Sequence, residues 1–143
     1  MNNKNTEYKF LSHTADVKFR AYGTTLSEMY KNSIYAVTKI ICKDKVKSLK
    51  KIKVKVKGHD NESLLYNLIE EIIYLTEVKN FIPSKIVKIK INKSKFILEA
   101  EIIGEKASNY DMEVHIKAPT YNEMYTQYNK RLDKWVCQVV LDV

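Results

Sequence analysis

Lys51-Ile52-Lys53-Val54-Lys55-Val56-Lys57-Gly58-His59-Asp60-Asn61-Glu62-Ser63-Leu64-Leu65-Tyr66-Asn67-Leu68-Ile69-Glu70-Glu71-Ile72-Ile73-Tyr74-Leu75 changes its hydrophobic period midway. Up to Lys57, lysine and apolar residues alternate strictly. In an extended chain that puts every lysine on one face and Ile52, Val54 and Val56 on the other. Beyond Gly58, His59-Asp60-Asn61 reads as a turn into a second pattern. Leu64, Leu65, Leu68, Ile69, Ile72, Ile73 and Leu75 then form the broad apolar face of a helix, with Glu70 and Glu71 on its border. A half-buried strand feeding an amphipathic helix calls for a sheet with helices against one side.

The flanking sequence extends this reading. Tyr8 and Phe10, then Val17, Phe19 and Ala21, alternate as two short strands separated by a break at Ser12-His13-Thr14, and Gly23 ends the second. Thr25-Leu26-Ser27-Glu28 fits a capping box. Leu26, Met29, Tyr30, Val37 and Ile41 follow at helical spacing, so the first helix is expected over residues 25–41. After the second helix, Pro83 is expected to close a loop. Residues 86–91 and 96–103 flank Asn92-Lys93-Ser94-Lys95 as a hairpin. Gly104-Glu105 is expected to open a loop reaching about Tyr110, followed by a strand over 112–118, a short turn at Pro119 and a closing hairpin of 124–129 and 134–142. Two helices and about seven strands result. The expected fold is α+β: a two-layer sandwich with two helices packed on a mainly antiparallel sheet, in a single domain over residues 1–143.

Bulk properties narrow the function. A chain of 143 residues suits one core, and its hydrophobic content of 45% is that of a folded domain. No apolar run approaches the roughly 18 residues of a membrane span, and the first seven residues lack the apolar run of a signal peptide. Cys42 and Cys137 are far apart in sequence and fit two reduced core thiols, so a cytoplasmic protein is expected. With three glycines the chain has no phosphate-cradling loop, and His13, His59 and His115 are scattered, with no nucleophile elbow or clustered zinc ligands. A self-sufficient enzyme is not expected. The net charge of +8 is nearly all lysine, with Arg20 and Arg131 the only arginines. Lysine rows without arginine or an aromatic–glycine pattern read first as a solvated strand face, and second as a surface for RNA or an acidic protein.

Trp135-Val136-Cys137-Gln138-Val139-Val140-Leu141 is an apolar run that reads as a buried strand, and Asp142-Val143 follow it directly. Asp142 and a carboxylate on Val143 are therefore expected where a core strand emerges, with Asp16 leaving an early strand in the same manner. Such a group of oxygens needs a counter-charge or a hard divalent cation, Ca²⁺ or Mg²⁺.

Several stretches, in order along the chain, resemble the archease family. They are Phe10-Leu11-Ser12-His13-Thr14-Ala15-Asp16-Val17 with Arg20-Ala21-Tyr22-Gly23, Leu64-Leu65-Tyr66 leading to Glu71, Gly104-Glu105, Ile116-Lys117-Ala118-Pro119-Thr120-Tyr121, and the closing Leu141-Asp142-Val143. Asn122 departs from the family's usual histidine, and the stretch between Gly104 and His115 is shorter than usual. The resemblance implies an accessory protein that assists the GTP-dependent tRNA-splicing RNA ligase. It would promote guanylylation of the ligase's active-site histidine and so multiple turnover. It also implies assistance to tRNA cytosine methyltransferases as a solubility-promoting partner. By the same resemblance a divalent cation (Ca²⁺, with Mg²⁺ or Mn²⁺ as alternatives) is carried by Asp16, Asp142 and Val143, and Glu71, Lys117 and His13 complete a functional patch. The competing expectation is a small basic chaperone or RNA-binding module that works through its lysine face.

Overall fold

The computed structural model of the protein describes residues 7–11 and 16–143. In chain order the elements are β1 (Tyr8–Leu11), β2 (Val17–Gly23), α1 (Leu26–Ile41), β3 (Lys50–Lys57), α2 (Asn61–Glu77), β4 (Phe81–Asn92), β5 (Ile97–Lys106), a short 3-10 turn at Ala107–Asn109, β6 (Ala118–Asn129) and β7 (Lys134–Asp142). Every strand pairing is antiparallel, but the strands form two sheets where one was expected. One has the order β1-β2-β7-β6 and the other β3-β5-β4. The lysine strand β3 pairs along its whole length with β5, from Lys50 opposite Gly104 to Lys57 opposite Ile97. β3 is an edge strand of this small sheet.

The helices are the packing element shared by both sheets. α1 packs on β1, β2 and β7 of one sheet and on β4 of the other, while α2 packs on β6 as well as on β3 and β4. α1 is consequently buried round most of its circumference, with Met29, Tyr30, Ile34, Ala36 and Val37 fully inaccessible. Side chains from both sheets and both helices make one hydrophobic cluster, which includes Phe19, Leu68, Ile102 and Leu141. Both cysteines are buried and unpaired in a disulfide, and burial pushes the Cys137 thiol up to about 12.

The helix starts follow local chemistry. Thr25 caps α1, its Oγ1 accepting from the Glu28 N–H at 3.1 Å. The Glu28 carboxylate reaches back to the Thr24 N–H, one residue earlier than a capping box requires. Asp60 caps α2 by accepting from the Ser63 N–H at 2.7 Å, and the Ser63 hydroxyl accepts in return from the Asp60 N–H. That backbone bond holds the Asp60 carboxyl below its usual range. A depressed carboxyl stabilises above its unfolded value, about 3.9, and the contribution is lost as pH falls through the lower folded value. Asp60→Ala is therefore expected to cost about 1 kcal/mol at neutral pH. The difference from wild type should shrink in urea titrations carried well below about pH 3.9, as the charge-dependent part of the cap is lost.

Three local expectations are corrected. Pro83 lies inside β4 rather than in a loop, at a register irregularity of an edge strand, where its missing N–H leaves no ladder bond unmade. Gly104 lies inside β5, opposite Pro83, and a Cβ there would stand 2.0 Å from the Ile82 carbonyl oxygen. Its glycine serves close backbone approach rather than a turn. Gly104→Ala should destabilise by about 2 kcal/mol, read as a lower urea midpoint at unchanged slope. Finally, the strand expected over 112–118 is not formed: residues 112–117 lie outside any strand. Their backbone bonds go elsewhere: the Glu113 N–H donates to the Ile41 carbonyl at the end of α1 and the Lys117 N–H to the Asp142 carbonyl. β6 instead begins at Ala118 and runs through Pro119, which pairs with Leu141 on an edge strand.

Candidate functional site

The β2–β7 ladder positions the acidic residues. Val17 pairs with Leu141, Phe19 with Val139 and Ala21 with Cys137, and these six side chains face the helices. The alternate positions, Lys18 opposite Val140 and Arg20 opposite Gln138, face the other side of the sheet. Asp16 directly precedes the Val17–Leu141 pair, in a bend just outside β2, and Asp142 directly follows it on β7, so both acids stand at this end of the ladder. Two carboxylates there repel unless a cation lies between or beside them. Asp142 is exposed and Asp16 half-buried, so neither is sealed from solvent.

β6 adds to this end. Ala118 pairs with Asp142 from the side opposite β2, and the Lys117 N–H donates to the Asp142 carbonyl at 2.8 Å. Lys117 is thus fixed beside Asp142 through main chain, with its ammonium exposed. Val143 follows Asp142 and is itself exposed.

Glu71 goes elsewhere. The flank of α2 that meets β6 and the segment before it carries Glu62, Tyr66 and Glu77. Glu62 accepts from the Thr126 N–H and hydroxyl at 3.0 and 2.7 Å. Tyr66 stacks on Tyr121 at 4.4 Å, and Glu77 lies 2.8 Å from His115 Nδ1. Glu71 is one turn from Asn67, whose side chain donates to the Lys57 carbonyl of β3, so it lies on the opposite flank. Burial pushes its carboxyl up from the usual range. His13 falls outside the described residues.

The structure also supplies residues that the sequence did not single out. Between Thr120 and Tyr125 the β6–β7 register slips, and the extra residues bulge with Glu123 in the left-handed region at φ 58°. There the Glu123 carboxylate meets the Lys18 ammonium at 3.0 Å. Gln138 holds the bulge by donating to the Glu123 carbonyl at 2.8 Å while accepting from Arg20 Nε at 3.0 Å. Lys18, Glu123, Gln138 and Arg20 therefore form one hydrogen-bonded chain on the open face, beginning two residues from Asp16. The alternation of Lys18 and Arg20 with apolar residues was the sequence signal for that face; nothing local announced the bulge.

Among the described residues, no three His, Cys, Asp or Glu side chains cluster closely enough to hold a metal ion. The donor set at the ladder end is two carboxylates with main-chain oxygen. This is oxygen chemistry suited to a hard cation, and it is open: a shell of about six to eight oxygens would draw the rest from water or from a partner.

A small α+β protein of two antiparallel sheets around a shared helix pair, with an acidic ladder end, is the class that fold and site define. Within it, the chain belongs to the archease family: residues 8–143 match the Archease protein family (MTH1598/TM1083). It is 33% identical over 151 residues to the protein archease of Methanosarcina barkeri, covering all of both chains. To that of Pyrococcus furiosus it is 34% identical over 146 residues, covering 96% of this chain and 99% of the relative. The solution structure of Methanobacterium thermoautotrophicum protein 1598 shares the fold at a TM-score of 0.80 and 25% identity, over 96% of this chain and 99% of that one. A Thermotoga maritima archease, described as a possible chaperone, shares the fold at a TM-score of 0.64 and 17% identity, over 93% of this chain and 94% of its own. No helix among the described residues is long and apolar enough to cross a membrane.

Proposed function

We propose that this protein is an accessory factor, not an enzyme in itself, which activates a GTP-dependent tRNA-splicing RNA ligase through the acidic end of the β2–β7 ladder. The observation that carries the reading is the register. The Val17–Leu141 pair ends the ladder, and the aspartate of the N-terminal motif and the aspartate of the closing strand adjoin that pair from opposite ends of the chain. Membership of the archease family over residues 8–143 supports the same reading.

The chemistry follows from placement. Asp16, Asp142 and the main-chain oxygen of Val143 would hold a divalent cation, Ca²⁺ or, with a tighter octahedral demand, Mg²⁺. Bound there, the ion would supply positive charge to a phosphate undergoing nucleotidyl transfer. The exposed Asp142 leaves room for a partner's groups to complete the shell, so the site works at an interface rather than in a closed pocket. Lys117 stands beside it as a mobile point charge for a phosphate or an acidic partner surface. The Lys18–Glu123–Gln138–Arg20 chain stiffens the open face around Asp16. Assistance to a tRNA cytosine methyltransferase would use the same exposed end as a docking surface.

The test is guanylylation itself. With labelled GTP, divalent metal and cognate ligase, addition of this protein should raise the rate at which label enters the ligase's histidine. An unchanged rate with a competent ligase would refute the activator reading.

A further inference from the structure

The open face of the β3-β5-β4 sheet concentrates lysine beyond what the alternating stretch alone displayed. β3 contributes Lys51, Lys53, Lys55 and Lys57, all exposed. β4, on the other side of the central strand, aligns Lys85 with Ile103, Lys88 with Glu101 and Lys90 with Glu99. β3 sets Lys53 and Lys55 opposite the same two glutamates. Seven lysines therefore flank a central row whose acids are Glu99, Glu101 and, at its far end, Glu105, leaving four positive charges in excess. Among the described residues, the ion pair on this face, between Lys51 and Glu101 at 3.3 Å, leaves Lys51 more than half exposed. Between the rows lies a shallow depression of about 270 Å³ lined by Lys53, Lys55, Lys88, Lys90, Glu99 and Glu101.

We propose that this face binds the phosphate backbones of folded RNA. Along each strand the lysines recur about every 6.7 Å, and the two rows stand about 9.6 Å apart across the central strand. The glutamates in the valley repel an anionic chain laid down the middle, so a polyanion must be held at both rims together. A folded RNA, whose two backbones flank a groove, meets two rows at once, whereas one extended acidic peptide meets one. Lysine heads are hydrated point charges on flexible stems and tolerate irregular phosphate positions. No aromatic or arginine stands among the facing positions, so the face reads charge and shape, without base sequence. It belongs to the sheet that does not carry Asp16 and Asp142, and binding there requires neither the ligase nor a metal.

Fluorescence anisotropy of a dye-labelled tRNA transcript, titrated with this protein at several salt concentrations, tests it. Four to five displaced counterions give a slope of log K against log salt of about −4. The K53E/K55E/K88E/K90E variant should lose at least tenfold in affinity at low salt. K53Q/K55Q/K88Q/K90Q, the milder set, should lose affinity with a shallower slope. Circular dichroism melting establishes that each variant is folded. D142N, which leaves this face untouched, should bind as wild type, which separates the result from the fate of the acidic site. Absence of binding near 50 mM salt, affinity unchanged in the folded variants, or displacement of the RNA by polyglutamate at equal charge would each overturn the proposal.

Discussion

Asp142→Asn is expected to reduce activation of the ligase by at least about tenfold while leaving the fold intact. Asp142 is exposed and its place in the ladder is held by backbone, through Ala118 on one side and the Lys117 N–H, so the side chain contributes little to folding. Substitutions of that kind stay within about 0.5 kcal/mol of wild type. Asparagine keeps the shape and one carbonyl oxygen but removes the charge that a hard cation requires. Asp16→Asn removes the other charge at this end of the ladder and should produce the same loss of activation. The double variant should be no worse than the more damaging single one, because either change already opens the cation's shell. Guanylylation rates, calorimetric Ca²⁺ titration and urea melts on the same preparations would check all three statements. Activation retained by both single variants would remove the acidic end from the mechanism.

The second large effect lies one residue away. Leu141 is wholly inaccessible, pairs with Val17 on one side and Pro119 on the other, and belongs to the shared core. Leu141→Ala should therefore cost about 3 kcal/mol, from lost transfer energy and the cavity left among fixed neighbours. Leu141→Met keeps the volume and should cost less than about 1.5 kcal/mol. The contrast with Asp142 matters: adjacent residues should separate cleanly, one carrying stability and the other activity. A small effect of Leu141→Ala on the urea midpoint would mean that the end of β7 is not held as the register implies.

The parts of the fold written in local periodicity were legible in the sequence. The lysine strand, both helices and the 92–97 hairpin depend on faces and turns, which a period of two or 3.6 reveals. Partnership was not legible, because β3 carries the same alternation whether it joins one large sheet or a small one with β5 and β4. Pro83, Gly104 and Pro119 misled for a common reason. Each normally punctuates a chain, yet here edge position or close backbone approach makes it fit inside a strand. The acids of the candidate site could be placed at strand ends from sequence, since strand runs and their limits are local. That Asp16 and Asp142 stand at the same end of one ladder is a matter of register between segments over a hundred residues apart. Glu123 was hidden because its position depends on a bulge, and the place of Glu71 was not legible because helix rotation turns it toward β3, away from the flank that meets β6.

The central claim is that this chain turns a ligase that stalls into one that cycles. The most direct measurement is RNA ligation with cognate ligase limiting and GTP and divalent metal in excess, counted as products joined per ligase. With this protein present, many turnovers per ligase are expected, and without it few. An equal count in both reactions, from a ligase shown to be active, would contradict the account.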